Sequence, residues 1–334
     1  MNNRKQLAVV HVLEGHSPPA IISDTQFSLS GSFLITACHD HIVRVWDPKS
    51  YSLLHNLGGS EVGHAAPVNR VALHPEREAV IASCADNGTL LLWNMETGDC
   101  LCELHSQAGY SSRPIGLHDI TFATPPYTNV LLAIARSYYR KAEIQVWNVE
   151  AQMQIQSIRE TTQDFCCVVA DQTGSTFLVG SEEGLIRQYD MRDGGHTRSA
   201  VINTGQQDIN TISFDPCGRF FLSSDTADTI LVYDIRKLEE PLHLFAHGGT
   251  HKESGVQSCQ WTKTGFIVSG GEDACLRFWD CHRGGRDAQI AAIKTTHPIS
   301  SVALTPNEDM VASGNEDGSV YLFSLPDETY LLQE

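Results

Sequence analysis

Histidine, hydroxyl and carboxylate side chains recur along this 334-residue chain in groups that could form catalytic triads. Two such groups are His16, Thr36 and Asp40, followed by Trp46, and His247, Ser269 and Asp273, followed by Trp279. A Ser-His-Asp hydrolase needs its triad once and places an oxyanion hole beside the nucleophile. Here the group repeats, and the chain contains no Gly-x-Ser-x-Gly nucleophile elbow. The residues favour a structural role, and we predict no catalytic residue.

Residue types that bind metals are also present, but their spacing does not suit a metal site. Residues 38–41 read Cys-His-Asp-His and residues 281–282 read Cys-His, whereas zinc sites draw four converging ligands, usually from CxxC-like pairs. No phosphate-binding loop of the GxxxxGK type occurs. The sequence therefore predicts no metal site and no bound cofactor.

The charge balance limits the classes of partner. The chain has 23 Lys and Arg against 40 Asp and Glu, which gives a formal net charge of −17. Nucleic acids and anionic membranes are bound through clustered Lys and Arg, and this sequence has no such cluster. We expect neither as a general partner. Because an acidic protein attracts basic partners, basic protein segments are the expected class.

Cysteine usage and hydropathy indicate the compartment. Most of the ten cysteines lie in apolar runs, as Cys84 does, which is typical of reduced, buried thiols. The segment 1–12 is too short for a signal peptide, and no stretch approaches the ~20 apolar residues of a membrane helix. We expect an intracellular protein, cytoplasmic or nuclear, that is neither secreted nor membrane-spanning.

One type of segment recurs along the whole chain: an apolar-x-apolar run that ends in an aromatic residue, usually followed by Asp or Asn. The seven aromatic residues are Trp46, Trp93, Trp147, Tyr189, Tyr233, Trp279 and Phe323, at a mean spacing of about 46 residues. Short β-branched runs separated by turn residues lie between them. In the second unit we predict strands at 68–74, 80–83, 90–94 and 101–104, with a hairpin turn at Asn87-Gly88.

These segments resemble the WD-repeat family, whose period is about 40–45 residues. Glycine-histidine pairs at 15–16 and 63–64, and the turn sequences at 269–273 and 313–318, extend the resemblance over nearly the whole chain. It implies an all-β, seven-bladed β-propeller with four strands per blade, as a single domain over residues 1–334. We expect an N-terminal strand at about 7–13 to complete the last blade and close the ring, so that deletion of residues 1–14 destabilises it.

The resemblance also assigns the recurring polar groups to a hydrogen-bond network within each blade. In the family, Asp contacts His, His contacts Ser or Thr, and the Trp indole donates to that hydroxyl, which satisfies buried polar groups. The residues assigned to this network are His16, Thr36, Asp40, Trp46, His64, Ser83, Trp93, His247, Ser269, Asp273, Trp279, His297, Ser313 and Asp317. Lys141, Glu183 and Ala227 replace the expected Asp in the third to fifth units, and Phe323 cannot donate.

The top face of such a ring, which carries the outer-to-first and second-to-third strand connections, is one candidate binding surface. Its predicted partner-binding residues are Tyr110, Arg113, Tyr138, Tyr139, Arg140, Lys141, His251 and Lys252. Exposed Tyr and Arg are enriched at interface hot spots. Long loops are also variable and solvated without any partner, and both interpretations stay open.

The opposite, bottom face carries the motifs Tyr189-Asp190-Met191-Arg192 and Tyr233-Asp234-Ile235-Arg236. They resemble the aromatic-Asp-x-Arg box of cullin-RING ubiquitin ligase substrate receptors, in which the arginine helps to dock the propeller onto the ligase adaptor. This resemblance implies adaptor contacts through Arg192 and Arg236. The alternative is that each arginine caps or pairs locally.

The sequence thus predicts a non-catalytic scaffold or recognition subunit, a monomeric propeller within a larger hetero-complex. Two alternatives stay open: a substrate receptor of a cullin-RING ubiquitin ligase, and a reader of a basic or methylated peptide such as a histone tail. A methyl-lysine reader needs an aromatic cage near the central channel, to which Tyr138 and Tyr139 could contribute.

Overall fold

A computed structural model of the chain describes residues 8–17, 20–58, 62–104, 116–136, 142–159, 164–192, 198–247, 255–281, 283 and 288–325. Within this part of the chain, 28 strands form seven four-stranded antiparallel sheets. Strand β1 (Ala8–Leu13) precedes blade 1, which consists of β2 (Ile22–Phe27), β3 (Leu34–Cys38), β4 (Val43–Asp47) and β5 (Ser52–Leu57).

The later blades repeat this order. Blade 2 contains β6 (Val68–Leu73), β7 (Val80–Ala85), β8 (Leu90–Asn94) and β9 (Cys100–Leu104), and blade 3 contains β10 (Gly116–Phe122), β11 (Val130–Arg136), β12 (Ala142–Asn148) and β13 (Met153–Arg159). Blade 4 contains β14 (Phe165–Ala170), β15 (Thr176–Ser181), β16 (Leu185–Asp190) and β17 (Arg198–Asn203). Blade 5 contains β18 (Ile209–Phe214), β19 (Phe220–Asp225), β20 (Thr229–Asp234) and β21 (His243–Ala246). Blade 6 contains β22 (Val256–Trp261), β23 (Phe266–Gly271), β24 (Cys275–Asp280) and β25 (Gln289–Lys294), and blade 7 begins with β26 (Ile299–Leu304), β27 (Met310–Asn315) and β28 (Val320–Ser324).

The ring closes as expected from the N-terminal run. The first strand of each blade contacts the first strands of both neighbours, and β26 of blade 7 contacts β2 of blade 1. Strand β1 pairs with β28 and so supplies the fourth strand of blade 7, with Leu13 opposite Val320. The seven-bladed propeller and its closure by the N-terminal strand are confirmed.

The hydrophobic core lies between neighbouring blades. All seven recurring aromatic residues of the third strands are buried. Between blades 1 and 2, for example, Ile35 and Val45 pack with Val71, Ile81 and Trp93 in one cluster. Burial of apolar surface stabilises by about 25 cal/mol per Å², and the closed ring provides every blade with two neighbours.

A β-bulge recurs at the start of every first strand. The pairing register with the second strand shifts between Ile22 and Asp24 in blade 1, and at the equivalent position in the other six blades. A bulge leaves one residue outside the ladder and redirects its side chain. The bulge therefore interrupts the strict alternation of inward and outward residues next to the central channel.

Candidate protein-binding site

The predicted network forms its His-hydroxyl-Trp part in blades 1, 2 and 6. In blade 2, Ser83 Oγ lies 2.6 Å from His64 Nε2 and accepts a hydrogen bond from Trp93 Nε1 at 2.8 Å. In blade 1, Thr36 Oγ1 is hydrogen-bonded to His16 and accepts from the Trp46 indole. In blade 6, Ser269 Oγ is hydrogen-bonded to His247 and accepts from the Trp279 indole. All three hydroxyl-bearing residues are fully buried. A buried hydroxyl held by two partners fixes the loop to the blade and is not accessible to a substrate.

An arginine that we did not anticipate contacts the network aspartate in blades 1 and 6. In blade 1, Arg44 donates to both carboxylate oxygens of Asp40, at 3.0 and 2.7 Å. In blade 6, Arg277 Nη1 lies 2.7 Å from His247 Nδ1 and 2.5 Å from Asp273, while His247 Nδ1 lies 3.5 Å from Asp273. The signal in the sequence is an arginine two residues before the tryptophan in both blades.

Blade 7 does not bring its three predicted network residues together. His297 is half-exposed, and its Nε2 lies 3.4 Å from Asp317 Oδ2. Ser313 instead donates to Asn315 Oδ1 at 3.4 Å. The reason is loop length, because His297 comes only two residues before β26, whereas His64 comes four residues before β6. The buried residue four positions before β26 is Thr295, whose hydroxyl donates to backbone carbonyls.

The predicted top-face contact residues fall outside the described part of the chain. These are Tyr110, Arg113, Tyr138, Tyr139, Arg140, Lys141, His251 and Lys252. Their role in partner binding stays a prediction.

Both bottom-face arginines form a fork with the aspartate two residues before them. Arg192 donates to Asp190 through Nε and Nη2 at 2.9 and 2.5 Å, and this hydrogen bonding lowers the pKa of Asp190 to about 2. Arg236 donates to the two carboxylate oxygens of Asp234 through Nε and Nη2, at 3.0 and 2.8 Å. The arginine side chains nevertheless stay 71% and 62% exposed. They are thus locally paired and also accessible on adjacent blades.

The seven bulges converge on the top-face end of the central channel. The residues that they leave outside the ladder are Ser23, Asn69, His118, Cys166, Asn210, Gln257 and Ser300. All seven line one cavity of about 360 Å³, together with His39, Arg136, Glu182, Asp208 and, at its base, Arg70. We call this cavity the channel mouth. Its lining is polar around the whole ring, and sequence reasoning did not identify it.

Arg70 lies between the carboxylates of two neighbouring blades. Its guanidinium is 3.3 Å from Asp24 and 3.2 Å from Asp119. Each carboxylate also accepts a backbone N–H from the next blade, Asp24 from Val71 at 3.1 Å and Asp119 from Val168 at 2.7 Å. Burial raises the pKa of Asp119 to about 6, against the opposing effect of Arg70. This ion triad links blades 1 to 4 inside the channel.

A repeated backbone hydrogen bond positions the rim of the channel mouth. In six blades, the first residue after the second strand donates its N–H to the carbonyl of the residue just before the first strand. The six donors are His39, Asp86, Glu182, Thr226, Glu272 and Glu316. The four acidic members of this rim, Asp86, Glu182, Glu272 and Glu316, are exposed, so the fold places four acidic residues at the rim of the opening.

The rim is acidic on balance, although some of its carboxylates have local partners. Arg136 lies 3.3 Å from Glu182, and Gln257 donates to Glu272 at 2.7 Å. Partial burial, and next the nearby Glu272, raise the pKa of Glu316. The like charges of Glu272 and Glu316, on adjacent blades, therefore repel each other, and a bound cation relieves such repulsion.

Among the described residues, no three His, Cys, Asp or Glu side chains are grouped as they are in a metal site. The same residues contain no helix that is long and apolar enough to span a membrane.

Two family models match the chain. The WD domain, G-beta repeat, matches residues 7–47 and 54–94, and the nucleolar protein 10-like N-terminal domain, a β-propeller, matches residues 138–327, more than half of the chain. The chain therefore belongs to the β-propeller family of nucleolar protein 10-like N-terminal domains, built from WD repeats. The WD-repeat resemblance inferred from the aromatic spacing is confirmed.

Curated relatives of this WD-repeat propeller are distant and varied. Eukaryotic translation initiation factor 3 subunit I of Aspergillus oryzae is 24% identical over 92% of both chains. Nucleoporin SEH1 of Pongo abelii is 26% identical over 78% of this chain and 81% of its own length. Transducin beta-like protein 3 of Bos taurus is 24% identical over 91% of this chain, which spans only 39% of that relative.

Proposed function

We propose that this propeller is a non-catalytic recognition subunit of a protein complex, and that it holds a basic segment of a partner at the channel mouth. The observation that carries the proposal is the position of acidic residues from five blades at one opening. Glu182 and Asp208 line the cavity, and backbone hydrogen bonds at its rim hold Asp86, Glu272 and Glu316 beside it. A Lys or Arg side chain of the partner enters between them, with Glu272 and Glu316 as its main contacts.

The buried network supports the non-catalytic part of this proposal. Thr36, Ser83 and Ser269 are the hydroxyl-bearing residues of the triad-like groups, and each is engaged by a histidine and a tryptophan in the interior of a blade. The three residues are fully buried. A nucleophile must reach its substrate with its base correctly placed, and these hydroxyls serve packing instead.

The relatives support the assembly part of the proposal. One is named as a subunit of a translation initiation factor and another as a nucleoporin. Both are propeller-length proteins, since the alignments cover most of their chains. A role as one component of a larger complex is therefore the class of function that we assign to this chain.

The proposal is tested with a pair of variants of equal net charge. Glu272→Gln with Glu316→Gln removes two rim carboxylates, and Glu239→Gln with Glu240→Gln removes two exposed carboxylates from a bottom-face connection. Each exposed ion pair contributes about 0.7 kcal/mol, so the rim variant is expected to bind a fluorescent Arg- and Lys-rich peptide about tenfold more weakly. Equal affinities of the two variants in anisotropy titrations contradict the proposal.

The same titrations address the methyl-lysine alternative. A peptide with trimethyl-lysine keeps its charge but cannot donate hydrogen bonds to the rim carboxylates. We expect it to bind no more tightly than the unmodified peptide. A marked preference for trimethyl-lysine would instead support an aromatic cage, with Tyr138 and Tyr139 as its predicted members.

A second candidate function, substrate receptor of a cullin-RING ubiquitin ligase, is favoured by the two accessible arginines of blades 4 and 5. Arg192 and Arg236 are held rigidly by their aspartates while most of each side chain stays in solvent. Pull-down with the ligase adaptor tests this role. Equal capture of the wild type and the Arg192→Ala, Arg236→Ala variant would exclude these residues from adaptor binding.

A further inference from the structure

A groove opens on the bottom face between blades 5 and 6, away from the channel mouth. It has a volume of about 330 Å³, and its lining includes Phe220, Leu242, Trp261, Lys263, Thr264 and Cys281. It lies where the first-to-second strand hairpins of both blades meet the third-to-fourth strand connection of blade 5 and Cys281, which follows the third strand of blade 6. Neither the proposed recognition of a basic segment nor the two arginine boxes uses this groove.

The floor of the groove is apolar because its polar atoms are already engaged. Trp261 is buried, and its Nε1 donates to the carbonyl of Ser213 at 3.2 Å, so the indole presents carbon atoms to the groove. Leu242 at the edge is 47% exposed. An exposed leucine beside a buried tryptophan and Phe220 forms the kind of surface that an apolar side chain of a partner covers.

The two sides of the groove carry cations. Lys263 is exposed on the hairpin of blade 6, where its ammonium group donates to the Pro306 carbonyl. On the blade 5 side, the Arg219 guanidinium lies 4.9 Å from the centre of the Phe220 ring and stays 55% exposed. Arg219 is beside the groove next to Phe220, and although its Nε lies 3.5 Å from Asp234, the other N–H groups of a stacked guanidinium can bind a further carboxylate.

Asp215, the carboxylate that lines the groove, and Asp234 and Glu308 beside it are engaged within the chain, whereas Glu239 and Glu240 on the connection before Leu242 are exposed and do not line the groove. Asp215 accepts the backbone N–H groups of Cys217 and Phe220, at 3.2 and 2.7 Å. Asp234 holds Arg236 and lies 3.5 Å from Arg219. Glu308 accepts from the backbone N–H of Lys263 at the far end. The lining of the groove therefore offers apolar side chains, the Lys263 ammonium group and the polar side chains of His243 and Thr264.

We infer that this groove binds a partner segment in which a large apolar side chain is flanked by Asp or Glu. The apolar side chain covers Leu242 and Trp261, and the flanking carboxylates meet Arg219 and Lys263. This chemistry is opposite to that of the acidic channel mouth. The propeller would then join two partners of opposite charge through its two faces.

The test uses three labelled peptides on the intact chain: Glu-Leu-Phe-Glu-Glu, Lys-Leu-Phe-Lys-Lys and Glu-Ser-Ser-Glu-Glu. Fluorescence anisotropy, up to about 1 mM peptide, is expected to show binding of the first at least tenfold tighter than of the others. Thr264→Trp, which fills the groove from an exposed turn, and Arg219→Ala with Lys263→Ala are each expected to weaken it about tenfold. Arg77→Ala with Lys49→Ala removes two bottom-face cations from blades 1 and 2 and is the matched control.

Thermal melts of the variants separate loss of binding from loss of fold, because the substituted side chains are largely exposed. No preference for the first peptide, no measurable binding, or binding unchanged by Thr264→Trp would overturn the inference. Concentration-dependent dimers that Thr264→Trp abolishes would also overturn it, since a second copy of the chain would then occupy the groove. None of these outcomes bears on the channel mouth, whose variants lie on the other face.

Discussion

The Arg70→Met variant tests whether the ion triad in the channel stabilises the ring. The change removes a guanidinium that contacts two carboxylates at 3.3 and 3.2 Å, while Asp24 and Asp119 stay buried. Removal of one member of a buried ion pair costs about 3–5 kcal/mol. Because the Arg70 side chain is 23% exposed and partly screened by water, we take the lower figure, about 3 kcal/mol. For a chain of 334 residues, that loss lowers Tm by roughly 4 °C.

The pH dependence of this loss is a second, independent readout. Burial raises the pKa of Asp119 to about 6 from 3.8, so the stability linked to its protonation is fully present below pH 3.8 and lost as pH rises through 6. Without Arg70 the pKa of both carboxylates rises further. The variant's deficit is therefore expected to be largest near pH 7.5 and to shrink as the carboxylates take up protons toward pH 5.

Circular dichroism melts of the wild type and the variant, from about pH 5 to pH 8, measure both effects. A triple variant, Arg70→Met with Asp24→Asn and Asp119→Asn, removes the uncompensated charges and is expected to recover most of the loss. Arg77→Met, in an exposed pair with Glu150, is the control and should change little. A deficit below about 1 kcal/mol, or one that does not change with pH, would refute the reasoning.

Three further predictions concern the closing strand, the network and the buried histidines. Leu13→Ala, at a buried position of β1, is expected to cost about 2–5 kcal/mol, as measured by urea unfolding. Ser83→Ala leaves both Trp93 Nε1 and His64 Nε2 without their hydrogen-bond partner. It is expected to lower the free energy of unfolding by about 2–3 kcal/mol. Ser313→Ala, which loses only a 3.4 Å contact, is the control. Burial lowers the pKa of His64 and His118 to about 4 from 6.5. The stability that each neutral histidine contributes is therefore present above pH 6.5 and lost as pH falls toward 4, by up to about 3 kcal/mol each. His64→Gln should flatten that part of the profile of Tm against pH.

Each of these predictions has an outcome that contradicts it. If Leu13→Ala unfolds at the wild-type urea midpoint, β1 does not hold the ring closed. Equal losses for Ser83→Ala and Ser313→Ala would mean that the double contact to His64 and Trp93 adds no stability. A Tm profile of His64→Gln that follows the wild type below pH 6.5 would show that this histidine is not kept neutral by burial.

The blade count and the strand positions were accessible from the sequence because they depend on local pattern. In blade 2, the predicted strands at 68–74, 80–83, 90–94 and 101–104 differ from the observed ones by at most two residues at any end. Asn87-Gly88 forms the expected turn, with Gly88 at a φ of 84°. The alternation of apolar residues and the turn residues are local features of the sequence, so the strands of a unit can be predicted from that unit alone.

The network histidines were predicted correctly only where they come at least four residues before the first strand of their blade. His64 reaches Ser83 from four residues before its strand, whereas His297, two residues before β26, stays half-exposed. Arg44 and Arg277 have the same place relative to their tryptophans and to the aspartates four residues before them, Asp40 and Asp273. Of these two described arginines, only Arg277 is shown to contact the network histidine, His247, which lies 30 residues before it in the chain. Spacing along the chain names candidates, and packing selects among them.

The amino-acid sequence by itself determined the fold class, the seven repeats and the closing strand, because each of these follows from periodic burial within short segments. Only the tertiary structure decided where the chemistry lies. One non-aliphatic residue from each of seven distant bulges, such as Ser23 and Asn210, meets at the channel mouth, and Arg70 finds acids in two other blades. In the sequence, the first apolar residue of each blade's first strand is followed by two consecutive non-aliphatic residues. This pattern points to a shared site only when ring closure is known, because closure brings residues that are far apart in the chain to one axis.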